Sequence, residues 1–202
     1  VVDAAFAGGL RFLEITLNTP DAFHLINKIN NKYTQLQIGA GTVLSVEMAK
    51  KAIDAGAKYI VAPNFDEEVS TFCVKNKIAY FPGALTPSEI KKAWESGATM
   101  VKVFPASQMG PDYFEIIKGP FEKIKLMAVG GVNPRNIKDY LGAGADAVAL
   151  GGSIFSTQRM ANRRYEEIHK DIEEFMFAVK EFYSKMRLVE GQTAKNFGGG
   201  GR

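Results

Sequence analysis

The sequence predicts an α/β protein of the (β/α)8 TIM barrel class, and three observations carry that prediction. Short apolar runs alternate with longer amphipathic stretches along the 202-residue chain, which is the order of strands and helices in a parallel sheet. The strand candidates are almost continuously hydrophobic, as strands covered on both faces must be. Three segments enter a strand through Gly-Ala, namely AGAKYIVAP, SGATMVKVFP and AGADAVALGG. Repetition at this period favours a closed barrel or a doubly wound sheet.

Seven strands are predicted from short runs rich in Val, Ile and aromatic residues, several of which end at Gly or Pro. They are Leu10–Leu17, Leu36–Ala40, Tyr59–Ala62, Ile78–Phe81, Thr99–Phe104, Lys125–Val129 and Ala147–Leu150. A (β/α)8 barrel needs eight strands. We therefore expect the first strand to lie upstream of Val1, or the barrel to close in another way.

Helices are predicted between these strands, because each stretch pairs a capping residue or proline at its start with a glycine or basic residue at its end. Thr19 is the expected N-cap of a helix that begins at Pro20. The helices are Val1–Gly9, Pro20–Asn31, Ser45–Ala55, Asp66–Lys75, Thr86–Ser96, Pro111–Ile117, Arg135–Leu141 and Arg159–Met186. Residues 1–190 are expected to form a single barrel domain, and residues 191–202 a flexible Gly-rich tail.

Composition excludes several classes of protein. The net charge of +3 is small and the basic residues form no stripe, so nucleic acid is not an expected partner. No apolar run approaches the roughly 18 residues of a membrane span. Cys73 is the only cysteine and the start resembles no signal peptide, so we expect a cytoplasmic protein. His24 and His169 are isolated, and no metal site or cofactor is expected.

Two charged residues interrupt otherwise apolar strands. Lys102 lies within MVKVFP and Glu14 within FLEITL. Burial lowers the pKa of a lysine and raises that of a carboxylate, which suits an amine nucleophile and a proton-transfer group. The alternative for Lys102 is a side chain that reaches past the strand end to solvent. The alternative for Glu14 is a structural ion pair, and a Lys–Glu pair can be both structural and catalytic.

Glycine pairs follow the last two strands. Gly130-Gly131 and Gly151-Gly152-Ser153 stand where barrel enzymes commonly bind phosphate through backbone N–H groups. Tight turns that simply need glycine are the alternative. Gly39-Ala40-Gly41-Thr42 lets the backbone approach a ligand and adds a hydroxyl, although alone it is a common turn.

Taken together, these motifs resemble the bacterial 2-keto-3-deoxy-6-phosphogluconate (KDPG) / 4-hydroxy-2-oxoglutarate (KHG) aldolases. The resemblance runs in order from about Gly8 to Phe155. It is carried by LEITLNTP, GAGTVLS, IVAPN, FPGALTPSE, VKVFPAS, GPFEKIKLMAVGGVN and LGGS. It implies a trimeric (β/α)8 barrel and a class I, pyruvate-dependent aldolase that needs no cofactor.

The resemblance also implies residue roles. Lys102 takes the Schiff-base position and Glu14 that of the proton-shuttling carboxylate. The other implied positions are the pyruvate-carboxylate contact Thr42, the pocket-wall residues Phe104 and Pro82, the substrate-binding residue Asn18, and the phosphate site Gly130, Gly131, Gly151, Gly152 and Ser153.

Two positions depart from the family pattern. Many members carry Arg in place of Asn18 and Pro-Thr in place of Ala128-Val129, and both departures look more like the sister aldolase for the galactonate epimer. We expect cleavage of KDPG to pyruvate and glyceraldehyde 3-phosphate, and of KHG to pyruvate and glyoxylate. The alternatives are the galactonate epimer, a phosphosugar isomerase, a divalent-metal aldolase and a non-catalytic trimeric scaffold.

Overall fold

The computed structural model describes residues 1–197, and the side chains of residues 1–186. All strand pairs are parallel and form two sheets, with the strand orders β1-β2-β3-β4 and β5-β6-β7-β8. The strands are β1 Phe12–Thr16, β2 Gln37–Gly41, β3 Tyr59–Val61, β4 Ala79–Phe81, β5 Gly83–Ala84, β6 Val101–Val103, β7 Leu126–Val129 and β8 Ala147–Ala149.

Each predicted strand is present in this order. Only Pro82 separates β4 from β5, and proline cannot donate to a strand ladder. The predicted strand Ile78–Phe81 is therefore β4 alone, and β5 is a two-residue continuation beyond Pro82 that was not predicted. Counted with β4 as one, it leaves the described chain with seven strand positions of a (β/α)8 barrel. Burial falls towards the outer edges: the three residues of β6 are buried, whereas those of β8 are only half-buried.

Helices connect successive strands. They are α1 Val2–Ala7, α2 Ala22–Lys32, α3 Val46–Asp54, α4 Glu67–Lys75, α5 Pro87–Glu95, α6 Ala106–Met109, α7 Asp112–Lys118, α8 Ile137–Gly142, α9 Thr157–Ala161 and α10 Tyr165–Phe197. Thr86 and Glu89 form a capping box at α5, which satisfies backbone donors that the helix leaves free.

The core consists of two large clusters between strands and helices and a smaller one under α10. The first-half cluster joins β1–β4 to α2–α4 and includes Ile26, Ile38 and Ile60. The second-half cluster joins β5–β8 to the later helices and includes Phe114 and Leu126. Strand side chains alternate between the two faces of a sheet. The strand residues that alternate with these buried cluster residues therefore face the barrel interior.

Most predicted boundaries differ from the structure by one or two residues, and two differences have a clear local cause or change the element itself. Helix α2 begins at Ala22 rather than Pro20, because Asp21 adopts a left-handed conformation (φ 54°). The Thr19 hydroxyl lies 3.2 Å from that of Thr16 rather than capping the helix. The predicted last helix is divided into α9 and α10 at residues 162–164.

The predicted tail of residues 191–202 overlaps the end of α10. Helix α10 extends to Phe197, so residues 191–197 are helical rather than part of a tail. The rest of the predicted tail, residues 198–202, lies outside the described residues.

Candidate active site

The predicted site residues all lie on the barrel interior or just beyond the carboxyl ends of strands. Asn18 follows β1, Thr42 follows β2, and Pro82 lies between β4 and β5. The remaining residues follow β6, β7 and β8: Phe104, Gly130, Gly131, Gly151, Gly152 and Ser153. Because parallel strands end at the same face of the barrel, this is the face on which such enzymes place their active sites.

Lys102 is the central residue of β6. Its neighbours Val101 and Val103 face the second-half cluster and are fully buried, so the Lys102 side chain faces the interior. Only 8% of Lys102 is exposed. Its backbone N–H donates to the Pro82 carbonyl at 2.8 Å, and its Nζ lies 5.0 Å from the Phe104 ring centroid. The structure thus rules out a lysine that extends into solvent.

Glu14 is the central residue of β1. Leu13 and Ile15 pack against the first-half cluster, and the Glu14 carboxylate faces the interior. It leans onto the neighbouring strand, where a Cβ added at Gly41 would lie 1.7 Å from Glu14 Oε1. A side chain at residue 41 would therefore displace the carboxylate.

Burial moves both charged groups towards neutrality. It raises the pKa of Glu14, and the positive charge of Lys102 opposes that rise. It lowers the pKa of Lys102, and the negative charge of Glu14 opposes that fall. In both cases burial outweighs the attraction between the charges. Both shifts favour the uncharged forms, so the Lys102 amine loses its proton more readily, and the Glu14 carboxyl group holds its proton more strongly, than the same groups in water.

Thr42, Asn18 and Pro82 have different surroundings. Thr42 is half-buried and has φ of 57°, which is unfavourable for a β-branched residue and is typical of functional sites. Asn18 is exposed at the rim, and Pro82 is buried in the wall. Gly39, Ala40 and Gly41 lie within β2 and not in a turn, which was the alternative interpretation of this motif.

The two glycine loops meet at the rim. Gly130 and Gly131 have φ of 96° and 82°, a region that residues with a Cβ rarely occupy. The Ser153 hydroxyl donates to the Val132 carbonyl at 2.8 Å and so joins the loop after β8 to the loop after β7. A Cβ added at Gly151 or Gly152 would meet no atom within 4 Å, which leaves this backbone open to a ligand.

Sequence reasoning missed two polar residues close to these groups. Tyr59 of β3 faces the interior near Glu14, and it is absent from the site residues predicted above. Ser107 of α6 packs against Gly131, where an added Cβ would lie 2.4 Å from Ser107 Cβ. The strand register places Tyr59 near Glu14, but the register cannot be derived from the sequence. Ser107 lies in the four-residue helix α6, which is too short to give a periodic signal.

Within residues 1–197, no helix is long and apolar enough to cross a membrane. The same part of the chain contains no cluster of three or more His, Cys, Asp or Glu residues that could hold a metal ion. An amine, a carboxyl group and a phenol face the interior, and the charge of Glu14 acts on both Lys102 and Tyr59. An amine whose pKa is lowered by burial can attack a ketone, and a nearby carboxyl group can move the protons.

Comparisons with known proteins identify the family. The model of the KDPG and KHG aldolase family matches residues 1–171. The 2-dehydro-3-deoxy-phosphogluconate aldolase of Pseudomonas aeruginosa is 35% identical over 81% of this chain and 74% of its own length. The 2-dehydro-3-deoxy-6-phosphogalactonate aldolase of Escherichia coli K12 is 32% identical over 89% of this chain and 88% of its own length.

Solved structures agree with these sequence relatives. A cube-shaped protein cage designed by fusing symmetric oligomeric domains has a TM-score of 0.88 and 31% identity, over 96% of this chain and 72% of that one. A native KDPGal structure has a TM-score of 0.84 and 32% identity, over 91% and 88%. The KDPG aldolase of Legionella pneumophila, with pyruvate captured as a covalent carbinolamine, has a TM-score of 0.79 and 29% identity, over 85% and 84%.

The fold and the interior amine define a Schiff-base aldolase on a (β/α)8 barrel. The chain belongs to the KDPG and KHG aldolase family. It is a lyase of the metal-independent class I type.

Proposed function

We propose that this chain cleaves 2-keto-3-deoxy-6-phosphogluconate to pyruvate and glyceraldehyde 3-phosphate through a Schiff base on Lys102, and cleaves 4-hydroxy-2-oxoglutarate to pyruvate and glyoxylate. The observation that carries this proposal is Lys102 itself, which is 8% exposed in the middle of a buried strand with its pKa lowered by burial. Relatives named for the phosphogluconate substrate support the choice of substrate.

The cleavage begins when the neutral Lys102 amine attacks the C2 ketone and forms a carbinolamine. Glu14 donates the proton with which the C2 oxygen leaves as water, and an iminium remains on Lys102. Glu14 then accepts the proton of the C4 hydroxyl, and the electrons of the C3–C4 bond move into the iminium. The aldehyde departs, the enamine is protonated at C3, and water releases pyruvate and the free amine.

The remaining residues position the substrate. Thr42, together with Asn18, contacts the carboxylate, and Pro82 and Phe104 form the pocket wall. The phosphate binds the backbone N–H groups of Gly130, Gly131, Gly151 and Gly152 together with Ser153. Fixing the phosphate sets the distance between C2 and the amine, which accelerates a reaction without new chemistry.

The galactonate epimer is a second candidate substrate. Two features favour it: Asn18 occupies a position that is arginine in many members of the family, and Val129 faces the interior at the end of β7. The relative from E. coli K12 named for that epimer covers 89% of this chain. Comparing kcat/KM for the two phosphorylated epimers decides between them.

We also expect a cytoplasmic homotrimer, with neither nucleic acid nor membrane as a partner. The similarity to a cage built from symmetric oligomeric domains supports self-association. Light scattering coupled to size exclusion gives the mass in solution, and a monomer at micromolar concentration would contradict this expectation.

Borohydride trapping tests the proposed chemistry. The chain is incubated with pyruvate and borohydride, digested, and searched for the reduced adduct. We expect the adduct on Lys102 and none in the Lys102→Ala variant. An adduct on another lysine, or no adduct in folded protein, would refute the proposal. In that case, an assay for cleavage of the phosphorylated keto acid shows whether the chain catalyses the reaction without an imine.

A further inference from the structure

The interior face of β2 carries almost no side chains. Gly39 and Gly41 both point into the barrel, since the intervening Ala40 is buried in the first-half cluster. Gly39 is paired with Glu14 of β1 on one side and with Tyr59 of β3 on the other. Glu14 and Tyr59 therefore face each other across a residue that has no side chain.

Tyr59 leans onto β2 from one side. A Cβ added at Gly39 would lie 2.0 Å from Tyr59 Cε2 and 2.3 Å from Cζ, so the far end of the ring covers Gly39. The hydroxyl on Cζ is thereby carried to the side of β2 on which β1 lies. The Phe81 ring packs edge-on at 5.7 Å and the Phe12 ring of β1 lies at 6.4 Å, both between centroids, and together they hold the tyrosine in this orientation.

Glu14 leans onto β2 from the opposite side, over Gly41. Residues two apart in a strand are separated by about 7 Å, so the carboxylate and the phenol rest on neighbouring positions of one bare strand. Glu14, Tyr59 and Lys102 also come from alternate strands, when β4 and β5 are counted as one. Alternate strands are those whose side chains form one layer in a barrel of this type.

No hydrogen bond joins Tyr59 to Glu14 within the described residues, because the carboxylate lies over Gly41 and the phenol ring over Gly39. We propose that Tyr59 is a positioning residue for Glu14: when the carboxylate turns from Gly41 towards Gly39 during the reaction, the Tyr59 hydroxyl donates to it. The inference rests on the proposed function and adds to it a residue that only the three-dimensional arrangement reveals.

Electrostatics agree with this placement. The pKa of Tyr59 is raised by burial and further by the charge of Glu14, so the phenol remains a donor throughout the working pH range. The titratable groups that face Glu14 are Lys102 of β6 and Tyr59 of β3; β2 presents glycines and Gln37, and β4 presents Ala79 and Phe81. A hydrogen bond to the ionised carboxylate favours that form, so the proposed bond from Tyr59 would limit the rise in the Glu14 pKa that burial causes.

The proposed role of Tyr59 in the reaction follows from this limit on the rise of the Glu14 pKa. Glu14 must be ionised when it accepts a proton and protonated when it donates one. Without the phenol, the dehydrated carboxyl group would hold its proton to higher pH, so a smaller fraction of the molecules would carry the ionised, basic form at low pH. Tyr59 thus keeps Glu14 available as a base at the lower end of the working pH range.

The test is the pH dependence of deuterium exchange at C3 of pyruvate in the Tyr59→Phe variant. At saturating pyruvate the imine has already formed, so the profile reports groups in the complex. We expect the acidic limb to move up by about one pH unit, the size of one hydrogen bond to a charged group. We expect KM for pyruvate to stay within roughly twofold, because Lys102 and the carboxylate contacts remain.

Tyr80→Phe is the matched control. Tyr80 lies in the adjacent strand β4, is 1% exposed and belongs to the first-half cluster outside the barrel interior. Its variant loses the same atom from a buried ring and should leave the limb unmoved. A second comparison uses Glu14→Gln, in which Tyr59→Phe should lose its effect because two groups that act as a unit are not additive.

The outcomes separate this inference from the proposed function. If the wild type forms no borohydride-trapped adduct on Lys102, the proposed function fails first. If trapping succeeds and the Tyr59→Phe limb coincides with the wild type, or Tyr80→Phe moves it equally, Tyr59 does not position Glu14. If Tyr59→Phe lowers the exchange rate by the same factor in the wild type and in Glu14→Gln, the inference is also overturned.

Discussion

The two halves of the barrel hold their reactive groups in different ways. In the second half, Lys102 occupies the middle of a strand whose three residues are all buried, with partner strands on both sides. In the first half, Glu14 lies on β1, which has one partner in the described chain and is at most half-buried along its length. Its carboxylate is held by leaning onto a strand that carries glycines.

This difference indicates a division of labour. A nucleophile must be dehydrated and fixed in position, which a central strand in a packed core achieves. A proton shuttle must change its charge and reach several atoms of the substrate, which requires space beside it. Bare glycines provide that space in the first half, whereas in the second half the glycines serve the rim.

In the second half of the barrel, removing the Lys102 amine should cause the largest loss of activity. Lys102→Ala should lower kcat by at least about 10⁴-fold, as is typical when a covalent nucleophile is lost. Cleavage of the phosphorylated keto acid, coupled to pyruvate detection, measures the effect. Lys125→Ala is the control, since Lys125 is exposed just before β7 and its loss should leave the rate unchanged. Comparable losses in both variants would contradict a special role for Lys102.

Packing in the second half can be probed without touching the site. Phe114 is fully buried, and its ring meets that of Tyr140 edge-on at 5.5 Å between centroids. Phe114→Ala should lower the free energy of unfolding by about 3–5 kcal/mol. Phe177 is 68% exposed, so Phe177→Ala should change it by no more than about 0.5 kcal/mol. Denaturant unfolding measures both, and similar values would mean that the second-half cluster is not the packed core described above.

A negative charge at the rim should separate phosphate binding from imine chemistry. Gly152 is exposed and has open space around its Cα, so Gly152→Asp fits without a clash. Like-charge repulsion should lower kcat/KM for the phosphorylated keto acid by roughly 100-fold. Pyruvate trapping and cleavage of the unphosphorylated 4-hydroxy-2-oxoglutarate should be retained, and Gly152→Asn should behave nearly as wild type. Equal losses on both substrates would place the phosphate elsewhere.

Filling the recess in the first half should give the smallest loss. Gly41→Ala forces the Glu14 carboxylate to move, because the new Cβ would lie 1.7 Å from Oε1. A misplaced Glu14 slows each step in which it moves a proton, so kcat should fall by roughly 10-fold to 100-fold, while a long incubation with pyruvate and borohydride should still label Lys102. In Gly119→Ala the new Cβ lies 3.4 Å from the nearest atom beyond its two chain neighbours, the Ile116 carbonyl oxygen, and this control should have full activity. An unchanged kcat in Gly41→Ala would mean that the carboxylate position is not important.

The sequence was sufficient for most of the architecture, because hydrophobic periodicity records which faces are buried. All seven strand positions and the helices between them, apart from α6, could be predicted in this way. Helix α6 was missed because four residues do not complete a periodic pattern, and the start of α2 was misplaced because Asp21 takes a conformation that the sequence does not indicate. The division of one strand at Pro82 depends on pairing, which a linear pattern does not contain.

The site was predictable only where a residue contradicts its surroundings. Lys102 and Glu14 are charged residues in apolar strands, and such a contradiction has few explanations. Tyr59 does not stand out, since tyrosine is common in strands. Its importance comes from the glycines opposite it, and Gly39 and Gly41 could be understood only after the register had placed Glu14 and Tyr59 on either side of them.

The most direct test of the account is a titration of the Lys102 amine itself. NMR of protein labelled with ¹³C at lysine Cε, with the Lys102 signal assigned from Lys102→Ala, reports its pKa beside those of the exposed lysines. The account predicts a pKa below the ordinary lysine range, and a still lower one in Glu14→Gln, because the Glu14 charge raises it. A Lys102 signal that titrates together with exposed lysines such as Lys125 would contradict the account.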